Sequence, residues 1–151
     1  MKSEMAKKDR DKASDEMMHF IRVKRCLEAT GLAFVGICIT CERRFHIENL
    51  QAGHCISGRR NAVLFDVMNI YNQCHYCNLM QHGRRKLYEK KLVARYGQKW
   101  MDNRKLRAKR TISNASIDFV KLRAGIKRMT EKLYRKHGYK TFGEILHDGT
   151  A

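Results

Sequence analysis

Acidic residues are scarce in this chain. Only 15 Asp and Glu stand against 32 Lys and Arg among 151 residues, a formal charge of +17. Self-repulsion of that size is out of place in an enzyme of small metabolites, whereas a polyanion-binding protein gains affinity and association rate from it. Nucleic acid is the expected partner. Long apolar runs are missing too: none approaches the roughly 20 residues that a membrane-spanning helix needs, so no membrane association is expected. Residues 1–12 are charged and lack the apolar core of a secretion signal. A soluble, cytoplasmic protein follows. Internal repeats and low-complexity tracts are also absent, and the length suits one domain with an appended helical arm.

Cysteine, by contrast, is present in a telling pattern. Four of the six form two Cys-x-x-Cys pairs, Cys38 with Cys41 and Cys74 with Cys77. Two such pairs are the ligand set of a closed tetrahedral Zn²⁺ site, each supplying two sulfurs from one tight turn. In a reducing compartment this spacing favours metal over disulfides. Cys26 and Cys55 fall outside it and read as small buried residues. The loop between the pairs, 42–73, is too long for a bare knuckle and carries Gly53-His54. Metal binding by such a site contributes on the order of 10 kcal/mol to folding, which fixes the loop ends and presents what lies between. The zinc is therefore scaffold and His54 the displayed residue.

Taken in order, residues 1–12 are polar, without a repeating apolar position, and read as a mobile basic arm. A helix is expected over 13–31, with Ser14 as cap, Met17, Phe20, Ile21 and Leu27 at helical spacing, and Gly31 as terminator. A zinc-stapled core follows over 32–100: an extended stretch into Cys38, a returning limb at 42–47, and a further extended piece at 50–54, the ββ part of a ββα arrangement. Ser57 to Asn61 form a basic turn, and a helical limb interrupted near Gly83 is expected from Asn69 to Tyr96. A basic helical extension occupies 101–138, where Asn114 or Ser116 caps a helix with Phe119, Leu122, Ile126, Met129 and Leu133 along one seam. That seam is either intramolecular core or a dimer contact. Residues 139–151 form a tail. The fold class is α+β, mainly helical, with flanking N- and C-terminal helices.

Phosphodiester hydrolysis needs an activated water, a cation on the phosphate oxygens and basic groups holding the strand. His54 is the candidate base, since an imidazole takes a proton near neutral pH. Asn78 follows the last thiolate at a helix start, where its oxygen suits Mg²⁺ or Mn²⁺, and His82 is four residues on. Asn69 is placed to hydrogen-bond the loop and fix His54, with a plain turn-forming role as the competing reading. Asp66, the nearest carboxylate in sequence, serves metal ligation, loop bracing or neither. Candidates for phosphate contact are Arg59, Arg60, Arg84, Arg85, Arg104, Lys105, Arg107 and Arg128.

Cys38-Ile39-Thr40-Cys41, Gln51-Ala52-Gly53-His54, Phe65-Asp66 with Asn69, Gln73-Cys74 and Cys77-Asn78, Tyr88, and Tyr96-Gly97 together resemble the NinG (Rap) recombination nucleases of lambdoid phages. His19-Phe20-Ile21-Arg22 is similar to that family's lead-in helix, so the likeness runs from about Met18 to His137. More distantly the pattern resembles the HNH, or ββα-metal, nucleases built on a treble clef. The resemblance implies an endonuclease acting on branched DNA such as Holliday junctions and D-loops, in a phage-infected or prophage-bearing bacterial cell. By position, His54 would be the general base, Asn69 the residue that orients the loop and Asn78 the ligand of the catalytic ion. Cutting both strands of a junction needs two sites, hence a homodimer.

One departure stands out. Many HNH nucleases carry an Asp or His ligand just before the base, and here that place is Gly53. Either Asp66 or His82 completes the ion site, or His54 is itself the ligand. Two other readings remain at this level: a zinc-stapled nucleic-acid-binding module without turnover, and an HNH enzyme that cuts linear duplex.

Overall fold

The computed structural model of the protein describes residues 2–57 and 60–150. Helix α1 is Lys2–Thr30, so the stretch read as a mobile arm is helical and continuous with the segment expected to start at Ser14. Lys, Glu, Ala, Met and Arg are strong helix formers and need no apolar stripe to propagate a helix already nucleated further along. Burial begins only at Ala13 and continues through Met17, Phe20, Ile21, Val23 and Cys26. Gly31 ends the helix, at φ +75, with its N–H on Leu27 O at 2.9 Å.

Two separate antiparallel hairpins follow. Strands β1 (Val35–Ile37) and β2 (Arg44–His46) pair with Val35 opposite His46, and their turn carries Cys38 and Cys41. Strands β3 (Leu50–His54) and β4 (Ile70–Cys74) pair with Leu50 opposite Cys74 and His54 opposite Ile70. Residues 70–74 were expected to begin a helical limb; they form a strand buried along its whole length. With both faces covered, β4 shows no polar alternation, and the helical spacing downstream spreads back over it. One face of β4 meets α1, where Arg25 donates to Ile70 O at 3.2 Å and Asn72 Nδ2 to Arg22 O at 3.0 Å. Ile39 N–H donates to Asn72 O at 2.8 Å, tying the two hairpins together.

A helical turn, α2 (Asn61–Leu64), lies in the loop between β3 and β4. After β4 the chain makes a π turn at Tyr76–Met80, passes through His82, Gly83 and Arg84 at positive φ, and only then enters α3 (Arg85–Tyr96) and α4 (Gln98–Ala108). Met101 of α4 packs beside Tyr88, Leu92 and Tyr71, so the expected boundary at residue 100 falls inside one packed unit.

Helix α5 (Phe119–Lys136) is capped by Asp118, whose carboxylate accepts from Lys121 N–H at 2.9 Å. Of the two caps expected, Asn114 and Ser116 instead lie in a short 3-10 turn headed by Ser113. The α5 seam is intramolecular: Ile126 packs with Met17, Phe20, Ile21 and Ile70, while Met129 faces outward. The expected tail contains a further helix, α6 (Phe142–Thr150), which inserts Ile145 among Val23, Cys26, Ile47, Leu50 and Tyr134.

Candidate functional site

The two Cys pairs converge because each sits at a hairpin end. Cys38 and Cys41 occupy the β1–β2 turn, which is closed by Cys38 N–H on Arg43 O at 3.0 Å and Glu42 N–H on Cys38 O at 2.9 Å. Cys74 is the last residue of β4, and Cys77 lies in the π turn. All four sulfurs fall within 4.8 Å of one another, with Cys41 and Cys74 Sγ 3.9 Å apart. A tetrahedral zinc with bonds near 2.3 Å needs sulfur separations of about 3.8 Å. Burial resists ionisation of Cys38, yet the Cys41 amide and the Thr40 hydroxyl bring its thiol down to about 6. Cys74 is pushed up to about 12 by burial and by the neighbouring Cys38 sulfur. Crowded thiolates of this kind want a cation among them. Cys26 and Cys55 are buried away from the cluster, and burial pushes both thiols up to about 12.

Further candidate chemistry gathers at the end of β3. His54 closes β3, and its Nε2 lies 3.0 Å from Leu64 O. A carbonyl only accepts, so Nε2 carries the proton and Nδ1 of the neutral ring keeps its lone pair. Burial lowers the His54 pKa, against a smaller upward pull from the Leu64 carbonyl. Asn69 braces the loop that carries Leu64. Its Oδ1 accepts from Ile56 N–H at 2.8 Å, and its Nδ2 donates to Ile56 O at 2.9 Å and Val63 O at 3.3 Å.

Asn78 reaches the same strand from the other side. Its Nδ2 donates to Gln51 Oε1 at 2.8 Å. Side chains alternate along a strand, so Gln51 and Gly53 share one face and His54 has the opposite one. A Cβ on Gly53 would collide with Gln73 Oε1 and meet Asn78 Oδ1 at 3.0 Å. Glycine at 53 is thus required by what already fills its face. The Tyr88 hydroxyl donates to Gly53 O at 2.8 Å and holds this point of the strand from α3.

Two expected ion ligands are placed otherwise. His82 is exposed and at φ +50, past the π turn, so it does not share a regular helical face with Asn78. Asp66 braces the loop: its carboxylate accepts from Met68 N–H at 3.1 Å and from Arg104 at 2.5 Å. Arg104 is therefore paired, as is Lys105 with Glu89 at 2.5 Å. Arg84 turns toward the thiolate cluster, with Nη1 4.0 Å from Cys77 Sγ. Arg60, Arg85, Arg107 and Arg128 are exposed, and Arg59 lies outside the described residues.

Sequence reasoning missed a basic recess of about 490 Å³ lined by Lys7, Arg10, Arg60, Asn61, Arg110 and Asn114, with Thr111 and Ile112. Among the described residues no carboxylate lines it. Arg10 Nε donates to Asn61 Oδ1 at 2.8 Å, and Asn61 Nδ2 donates to Ile112 O at 2.9 Å and Asn114 Oδ1 at 2.8 Å. The three segments are far apart in sequence, and only the length of α1 brings Lys7 to the loop. Gln73 was visible beforehand only as the neighbour of Cys74.

These features define an α+β protein, mostly helical, arranged around a four-cysteine cluster suited to zinc. The chain belongs to the family described as Bacteriophage Lambda NinG protein, whose model matches residues 3–136. No curated protein and no solved structure matches it. Helix α6 lies beyond the matched span, although Ile145 is part of the core.

Proposed function

We propose that this chain is a divalent-metal-dependent endonuclease of the HNH type. Its intended substrate is branched DNA such as Holliday junctions and D-loops, in the cytoplasm of a phage-infected or prophage-bearing bacterium. In this reading Cys38, Cys41, Cys74 and Cys77 hold a structural Zn²⁺ in a treble clef, and β3, β4 and α3 form the ββα unit. The observation that carries it is the setting of His54: half-buried at the end of β3, its pKa lowered by burial, with Nε2 on Leu64 O and Nδ1 left as a proton acceptor.

His54 Nδ1 takes a proton from water as it attacks phosphorus. Asn69 keeps the imidazole aimed, because any drift of Ile56 or Val63 breaks its hydrogen bonds. Asn78 would hold Mg²⁺ or Mn²⁺ through Oδ1, and such an ion stabilises charge on the non-bridging and leaving oxygens. Since His54 and Asn78 flank opposite faces of β3, the scissile phosphate lies across the strand end. Exposed basic residues and the Lys7–Arg10–Arg60–Arg110 recess hold the backbone. Cleavage of paired strands calls for a homodimer.

The opposed faces also favour a second reading, a zinc-stapled DNA-binding module without turnover. Incubation of a four-way junction with Mg²⁺ or Mn²⁺ separates the two. Wild type is expected to nick it, and His54→Ala to lose at least 10²-fold in rate; equal behaviour of the two proteins sinks the enzymatic reading. A matched linear duplex in the same assay tests the preference for branches.

A further inference from the structure

Gln73 is fully buried in β4, and its Oε1 has no hydrogen-bond partner among the described residues. Its orientation is not arbitrary. The amide nitrogen donates to Gly83 O at 2.8 Å and reaches Thr40 Oγ1 at 3.4 Å. Flipping the amide would set Oε1 against the Gly83 carbonyl, two acceptors face to face, so the oxygen must point the other way. That way leads to Gly53.

Asn78 approaches from the π turn. Its nitrogen donates to Gln51 Oε1, and its Oδ1 is directed at the same point over Gly53. Two amide oxygens, from a strand and from the turn that follows the thiolate cluster, thus converge where residue 53 has no side chain. Among the described residues neither oxygen accepts a hydrogen bond. Side-chain carbonyl oxygens are hard ligands that suit small divalent cations, and such ions keep several waters and take substrate phosphate in the remaining positions.

We propose that Gln73 Oε1 and Asn78 Oδ1 together ligate a divalent cation over Gly53, with Gln73 in the role that a side chain at position 53 would otherwise fill. The absence of a ligand at 53 is then a substitution and not a deficit: the oxygen comes across the hairpin from the neighbouring strand, and Gly53 is what admits it. His82 and Asp66 are not needed in this site. Because both ligands are neutral, the free protein binds the ion weakly, and DNA phosphate tightens it. The proposal rests on the nuclease reading only for the use made of the ion; occupancy is measured without turnover.

The test is Mn²⁺ binding to zinc-loaded full-length protein, followed by loss of the free-ion electron paramagnetic resonance signal, with and without a four-way junction. Wild type is expected to bind Mn²⁺ more tightly when junction is present. Gln73→Met, which keeps length but has no hard oxygen, is expected to weaken binding at least tenfold with its zinc content unchanged. Asn78→Asp, which adds a negative charge to the site, is expected to tighten it at least tenfold in the free protein. Should Gln73→Met fail to fold, Asn78→Asp still decides. Unaltered Mn²⁺ affinity in either folded variant, or no Mn²⁺ binding by wild type with junction, overturns the proposal and leaves Gln73 Oε1 a packing contact of Gly53. If Mn²⁺ binds as described yet His54→Ala cleaves like wild type, the ion site stands and the role given to His54 falls.

Discussion

His54 is governed by one carbonyl and by its own burial. The Leu64 oxygen settles which ring nitrogen bears the proton, and desolvation holds the pKa below the ordinary 6.5. Burial outweighs the smaller upward pull of that hydrogen bond and keeps a base available in mildly acidic solution. The acidic limb of kcat/KM for junction cleavage is therefore expected to fall below pH 6.5, and a limb above that value would count against His54 as the base. Stability carries the same sign. The unfolded chain protonates this ring first as pH falls, so the contribution of His54 is complete above 6.5 and is lost as pH drops through the lowered folded value. His54→Gln is expected to flatten the decline in thermal midpoint between pH 6.5 and 5. The neighbouring residues explain why only part of this was legible. The Gly53-His54 pair and Asn69 stand out by type and spacing, but Leu64 contributes a backbone oxygen, which no side-chain pattern announces.

At the scale of elements, helices with an apolar stripe were readable and those without one were not. Of the expected α5 seam, Phe119, Leu122, Ile126 and Leu133 pack inward and Met129 does not, and Gly31 stops α1 where a left-handed residue is needed. The first three turns of α1 have no such stripe, and their helicity follows from residue propensity and from the contact of Arg10 with Asn61. Strand β4 was hidden for a different reason: it is buried along its whole length, and Ile70-Tyr71-Asn72-Gln73-Cys74 shows no alternation of apolar and polar residues. Helix α6 was overlooked because nine residues supply too few repeats to establish a period. Its single fully buried anchor makes it testable. Ile145→Ala should cost about 2–5 kcal/mol in urea unfolding, and a change within a few tenths would mean that α6 does not close the core formed by Val23, Ile47 and Tyr134.

At the scale of the whole molecule, the thiolate cluster joins the β1–β2 hairpin to the end of β4. If Zn²⁺ occupies it, about one metal per chain is expected by elemental analysis, and removal by a strong chelator should lower the thermal midpoint and expose Cys38 and Cys77 to thiol reagents. A melt insensitive to chelator would show that the fold does not depend on metal. The excess positive charge acts over the full surface, and the basic recess concentrates it where α1, the loop after β3 and the segment before α5 meet. Arg60→Ala and Arg110→Ala are each expected to reduce the slope of log affinity for DNA against log salt by about 0.9. An unchanged slope would place the strand elsewhere. No helix of the described residues is long and apolar enough to cross a membrane.

The chain's own letters determined the four-sulfur cluster, the basic character and the amphipathic last long helix, because each depends on spacing within a few residues or on a sum over all of them. Tertiary structure alone decided that β4 is a strand, that α1 reaches the loop after His54, and that Gln73 and Asn78 turn their oxygens on Gly53. Those outcomes depend on strand register and on which backbone groups remain unpaired after packing, and both are properties of segments brought together from distant parts of the chain.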